Sequence, residues 1–209
     1  MASEGSTASL ADELRRIGRL LGRRGIFVAD DGNLSARCPD GSVWITARGV
    51  RKDALLRGDL VRVAADGTRL EGSSEPSSEI FLHLGIYSWR PDVGAVIHAH
   101  PPFATGFAAA GVEIREDALA EAAVALGRVP VVPYRTPGQR EAGEIVRPYL
   151  AMHRALLLGN HGAVTLGRDL EDACRRMERL EHVARTVLTA RLLGGVCPLT
   201  REQREALGH

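Results

Sequence analysis

Leu10, Leu14, Ile17, Leu20 and Leu21 recur at the spacing of one helical face, which predicts an amphipathic helix over residues 9 to 23, ended near Gly25. Short strand-like stretches follow. Residues 33 to 37 and 42 to 46 flank the turn sequence CPDGS and predict a hairpin, and LVRVAADGTRL predicts another. Helical character returns over 77 to 90, between Pro76 and Pro91. The pattern then alternates: a strand at 93 to 99, a helix near 102 to 110, a strand at 129 to 132, a helix at 138 to 151, and strands at 154 to 158 and 162 to 166. A long helix from 169 to 193 sets Leu170, Ala173, Cys174, Met177, Leu180, Ala184, Val187 and Leu188 on one stripe. The hairpin signals favour a mixed or antiparallel sheet over a purely parallel one. The expected class is therefore α/β of the α+β type, a single domain over residues 9 to 209 with a central, mostly antiparallel sheet flanked by helices. Residues 1 to 8, rich in small polar side chains, are expected to be a disordered tail.

Composition narrows the function classes. With 44% apolar and 25% charged residues the chain can bury an ordinary core, and its 27 basic and 26 acidic residues leave a formal charge of +1. Such a balance offers no field that would gather nucleic acid or an anionic membrane, so an anionic substrate must be held by local groups. No stretch approaches the roughly 20 apolar residues of a membrane span, and MASEGSTASL lacks the basic and apolar regions of a signal peptide. The expected location is cytoplasmic. Cys38, Cys174 and Cys197 are odd in number and lack zinc-finger spacing, which argues against a disulfide framework. Cys174, on the apolar stripe, is expected to be a buried structural thiol.

Three segments carry chemistry. In VIHAHPP, alternation along a strand projects His98 and His100 from one face, about 6.5 Å apart along it, with Pro101 and Pro102 stopping the strand just beyond. Two such imidazoles can chelate a cation, or can simply hydrogen-bond at a strand end. Candidate third ligands are His83, His153, His161, His182 and His209. His161 is best placed, between two apolar runs and followed by a glycine that permits an unusual turn. The others sit in helical or terminal contexts that suit packed or solvated side chains. In EPSSEIFLHLGIY, Ser77, Ser78 and Glu79 stand where a helix begins, a place that suits either anion binding or ordinary capping. In DDGNLSAR and ITARGV, Gly32, Asn33 and Gly49 could bring backbone amides to a phosphate, or could simply turn between strands. Asp30 and Asp31 would oppose an anion and are expected to point outward. No nucleotide-binding glycine pattern is present.

Taken together and in order, GNLS, ITARGV, PSSE with FLH, VIHAHPP and NHGAVTLG resemble the class II aldolase/adducin family, most closely its L-fuculose-1-phosphate aldolase-like branch, over about residues 10 to 195. The resemblance implies a three-layer architecture and one divalent ion per chain, zinc, bound by His98, His100 and His161. Glu79 is implied to complete the coordination and to act as acid/base. It implies a phosphate pocket made by Gly32, Asn33, Arg48, Gly49, Ser77 and Ser78, and a homotetramer with sites at subunit contacts. The implied activity is retro-aldol cleavage of a ketose 1-phosphate to dihydroxyacetone phosphate and a short aldehyde, the enediolate charge being stabilised by the ion as a Lewis acid. A Schiff-base route is disfavoured, because Lys52 is the chain's only lysine.

Two features depart from that branch. Its aldolases use a tyrosine from a neighbouring subunit and another near the C-terminus, yet residues 112 to 129 contain none and none follows Tyr149. Glu116, Asp117 and Glu121 are the side chains that could serve in the first tyrosine's place. Arg48 stands where threonine is usual, which suits a phosphate or a carboxylate. The alternatives are a decarboxylase or a sugar-phosphate dehydratase of the same family. A pentulose-phosphate 4-epimerase would carry aspartate at Glu79, and a non-catalytic adducin-like module would lack the histidines.

Overall fold

The computed structural model describes residues 3 to 207. Helix α1 (Ser3–Arg23) leads into strands β1 (Asn33–Arg37) and β2 (Val43–Thr46), and then β3 (Leu60–Val63) and β4 (Arg69–Glu71). Next come α2 (Ile80–Trp89), β5 (Ala95–Ala99), α3 (Pro102–Ala109) and α4 (Ala120–Ala125). The chain ends with β6 (Val131–Val132), α5 (Ala142–Leu150), β7 (Ala155–Leu158), β8 (Gly162–Gly167), α6 (Leu170–Leu192) and α7 (Arg201–Ala206). The first helix thus covers part of the tail expected at residues 1 to 8, of which 1 and 2 lie outside the described residues, as does His209.

Among the described residues the strands form one sheet in the order β4-β3-β2-β1-β5-β8-β7-β6, antiparallel except for the β6–β7 pair. Alternation along each strand divides the core into two layers. Leu34, Ala36, Ala95, Ile97, Ala99, Ala155 and Leu157 face α1, α3 and α6, where Leu14, Ile17, Ala173, Met177 and Leu180 complete one cluster. Val43, Ile45, Val96, Leu156, Val164 and Leu166 face α2 and α5, with Ile86 and Val146. The fold is therefore a mixed sheet between two helical layers.

Cys174 is fully buried on α6 as expected, whereas Leu188 is 38% exposed and Val183 takes an inward position instead. The helix expected from 77 starts only at Ile80. Its first residues are held in strand-like pairing: Ala47 bridges Pro76, Arg48 N–H donates to the Glu75 carbonyl, and Ser77 N–H donates to the Thr46 carbonyl. That pairing sets Ser77 and Ser78 beside Arg48 and Gly49. Helices α2 and α5 approach closely where glycines meet, since a Cβ on Gly85 would lie 2.5 Å from the Gly143 Cα.

Candidate metal centre and anion cleft

Strand register brings the histidines together. Asn33 on β1 is the cross-strand partner of His98 on β5, and His98 in turn pairs with Val164 on β8. His100 follows two residues after His98, and His161 enters from the β7–β8 turn, where Asn160 takes the left-handed conformation (φ 52°). The unusual backbone thus falls one residue before His161, not at the glycine after it. Gly162 is extended in β8 and is needed for space: a Cβ there would lie 2.5 Å from the His100 ring. Gly32 has both constraints, a φ of 73° and a Cβ position 2.6 Å from the His98 carbonyl oxygen.

The three rings have centroid separations of 5.0, 4.6 and 4.9 Å, and one ligand nitrogen from each lies within 4.8 Å of the others. This is a group that could hold a metal ion. Its tautomer supports that use. The Nδ1–H of buried His98 donates to the Ala163 carbonyl at 3.0 Å, which turns Nε2 toward the other two rings as the atom available to a metal. That nitrogen lies 3.2 Å from His100 Nε2 and 3.1 Å from Glu79 Oε2, and Glu79 Oε1 lies 3.7 Å from His161 Nε2. Lone pairs and a carboxylate converging at such distances need a cation or proton between them. Three nitrogens and one oxygen are a donor set that zinc accepts.

Protonation states agree. Burial, the nearby His98 and His100 push His161 down to about 4, with Glu79 opposing, so it is a neutral donor at pH 7. Burial chiefly, then His98, also lowers His100. For Glu79 burial alone would raise the carboxyl, but His98, His161 and the Asn33 amide outweigh it and hold the group well below the usual carboxylate range. Glu79 therefore rests as an acceptor.

A buried hydrogen-bond chain orients Asn33. Its amide nitrogen donates to Glu79 Oε2 at 2.9 Å, so its oxygen must face His83 Nε2 at 2.5 Å and accept from it. His83 Nδ1 then accepts from the Ser35 hydroxyl at 2.7 Å, and Ser35 accepts from Tyr87 at 2.7 Å. Burial, followed by His98, pushes fully buried His83 down to about 3, consistent with one neutral tautomer. This chain was not foreseeable from the motifs, because it joins β1 to α2, and those two elements meet only through packing.

Gly32, Asn33, Arg48, Gly49, Ser77 and Ser78 all line one cleft, together with Glu79, His100 and His161. Asp30, Asp31, Lys52 and Pro137 line it as well. Asp30 and Asp31 are exposed, but they do not simply face away: Asp31 Oδ2 comes 3.8 Å from His100 Nδ1. A second, mainly apolar pocket shares Glu79 and His161 and is lined by Leu82, Val132, Ile145, Leu158 and Arg135. Asp117 is engaged by Arg115, and Glu116 lines a different pocket with Arg201 and Arg204. Glu121 is absent from the cleft lining, as are His153 and His182.

Comparison with known proteins places the chain among relatives of similar length. A 3-oxo-tetronate 4-phosphate decarboxylase from Escherichia coli (strain K12) is 34% identical over 183 residues, 86% of each chain. A methylthioribulose-1-phosphate dehydratase from Methylococcus capsulatus is 38% identical over 185 residues, 83% of this chain and 90% of that one. The solved structure of an L-fuculose 1-phosphate aldolase superposes with a TM-score of 0.89 at 30% identity, covering 95% of this chain and 94% of that chain. The family model for the class II aldolase and adducin N-terminal domain matches residues 12 to 188, and the chain belongs to that family.

Proposed function

We propose that this chain is a metal-dependent lyase acting on a small phosphorylated ketose or keto acid. The observation that carries the reading is the junction of two half-sites in one cleft, three imidazoles with an ionised Glu79 beside a wall of anion-binding donors. His98, His100, His161 and Glu79 would hold the ion, which when bound supplies Lewis-acid stabilisation of oxyanion charge. Gly32, Asn33, Arg48, Gly49, Ser77 and Ser78 would hold the phosphate, chiefly by neutral hydrogen-bond donors and with one exposed guanidinium. The Glu79 carboxylate would be the group that exchanges a proton with the carbon at which the bond breaks. Asn33 keeps that carboxylate aimed while His83 and Ser35 keep Asn33 from flipping.

Retro-aldol cleavage to dihydroxyacetone phosphate and a short aldehyde is the reaction implied by the resemblance to the L-fuculose-1-phosphate aldolase-like branch. Decarboxylation or dehydration is a second reading, favoured by the missing tyrosines between 112 and 129 and after 149. The likeness to a decarboxylase and a dehydratase leans the same way. The test is turnover by zinc-loaded protein of a ketose 1-phosphate, a phosphorylated 3-keto sugar acid and a phosphorylated deoxy-thio ketose, each beside its dephosphorylated form. Turnover that needs both metal and phosphate supports the reading, and equal specificity constants for the paired forms would remove the phosphate pocket from it.

A further inference from the structure

Of the chain's 27 basic residues Lys52 alone is lysine, and it is 2% exposed although it lines the anion cleft. Its ammonium has one described partner, the Asp30 backbone carbonyl. Among the described residues no carboxylate lies within the 4.0 Å of an ion pair with it; Asp30, Asp31 and Glu79 act on it only from farther off. A buried cation without a paired anion is costly, and an anion bound beside it would offset that cost. Its backbone is fixed in place: α1 packs on it so closely that a Cβ on Gly18 would meet the Lys52 carbonyl oxygen at 2.3 Å, and Arg15 Nε donates to the Leu55 carbonyl at 3.1 Å. Arg48, the other cation of the cleft, is exposed and so neither desolvated nor held.

We infer that Lys52 is the preorganised counter-charge for the substrate's phosphate, a binding residue that also ties down the turn carrying Gly32 and Asn33. The inference rests on the phosphate-pocket reading above. Three ammonium hydrogens serve both tasks, one holding Asp30 and the others free for phosphate oxygens. A compact ammonium also suits a buried position that a planar guanidinium would overfill.

Because the chain has a single lysine, protein labelled with 15N-lysine gives one side-chain ammonium resonance. We would titrate full-length, zinc-loaded protein with inorganic phosphate, following that resonance and, separately, the heat of binding. The expected result is a saturable shift of the lysine signal with the calorimetric Kd. Lys52→Met should weaken phosphate binding by at least about tenfold with metal content unchanged. Heat of binding with an unmoved lysine signal overturns the assignment of Lys52 while sparing the pocket. No binding of phosphate at all overturns the pocket reading as well. Should Lys52→Met fail to fold, the titration of the native protein still decides.

Discussion

Glu79 sits where two demands meet, since it faces the candidate metal-binding histidines on one side and the Asn33 amide on the other. The amide substitution Glu79→Gln keeps the shape but removes the charge and the exchangeable proton. We expect native thermal stability and a turnover rate lowered by about 100-fold or more; an unchanged rate would return the residue to helix-start duty. His98→Ala and His161→Ala should each yield protein without bound zinc by elemental analysis, and full metal content in both would remove the centre. His83 sets a pH dependence of its own. With its folded value pushed down to about 3 by burial from an ordinary 6.5, the unfolded chain binds more protons between those values, so the slope of stability against pH is positive there. Metal-free protein should therefore be at full stability, as far as this group is concerned, above about pH 6.5 and should lose it as the pH falls toward 4. Denaturant melts of wild type and His83→Gln across that range check it, and the variant should show the shallower slope.

At the scale of elements, periodicity and turn chemistry locate most helices and strands to within a few residues, because one face of each is buried. The exceptions have physical causes. The helix expected from residue 77 begins at Ile80 because the segment before it pairs with the end of β2, a long-range contact that local pattern does not encode. Helix α4, AEAAVA, is too short and too uniformly small to show a periodic face. The sheet order is equally hidden, since β1 pairs with β5 across intervening strands. The same holds for the site. His98, His100, His161, Glu79 and the serines are legible because motif order fixes them, whereas Ser35 and His83 meet only through packing, and a count of one lysine says nothing of where that lysine lies. One contact between elements is directly testable: Gly85 on α2 faces Gly143 on α5 with no room for a methyl group. Gly85→Ala should destabilise by about 1 to 3 kcal/mol in chemical denaturation. Because α2 follows directly from Glu79, activity should fall even at temperatures where the variant remains folded. A wild-type melting curve would show that the helices can separate freely.

At the scale of the whole molecule, no described helix is long and apolar enough to cross a membrane, and the formal charge of +1 leaves little long-range repulsion between copies. Met152, Leu192 and Leu193 are 84%, 80% and 83% exposed, the last two being the final residue of α6 and the residue just after it. Large apolar side chains this exposed are a cost to an isolated chain and a gain to an assembled one. The cleft of one chain brings together candidate metal ligands and anion donors, and no residue of the 112 to 129 segment lines it, so any group which that segment gives to the far side of the substrate would come from a second copy. We therefore expect a homo-oligomer, a tetramer by the family resemblance, with a light-scattering mass that is a multiple of 22.5 kDa. A site shared between copies makes a sharper demand, because occupancy of the complete site then follows mass action. Specific activity should fall on dilution together with the measured mass, and should recover when the protein is concentrated. A monomer that turns over at full rate would place every necessary group within one chain, and Arg135 or Asp31 would then be the side chains to examine around the substrate's far end.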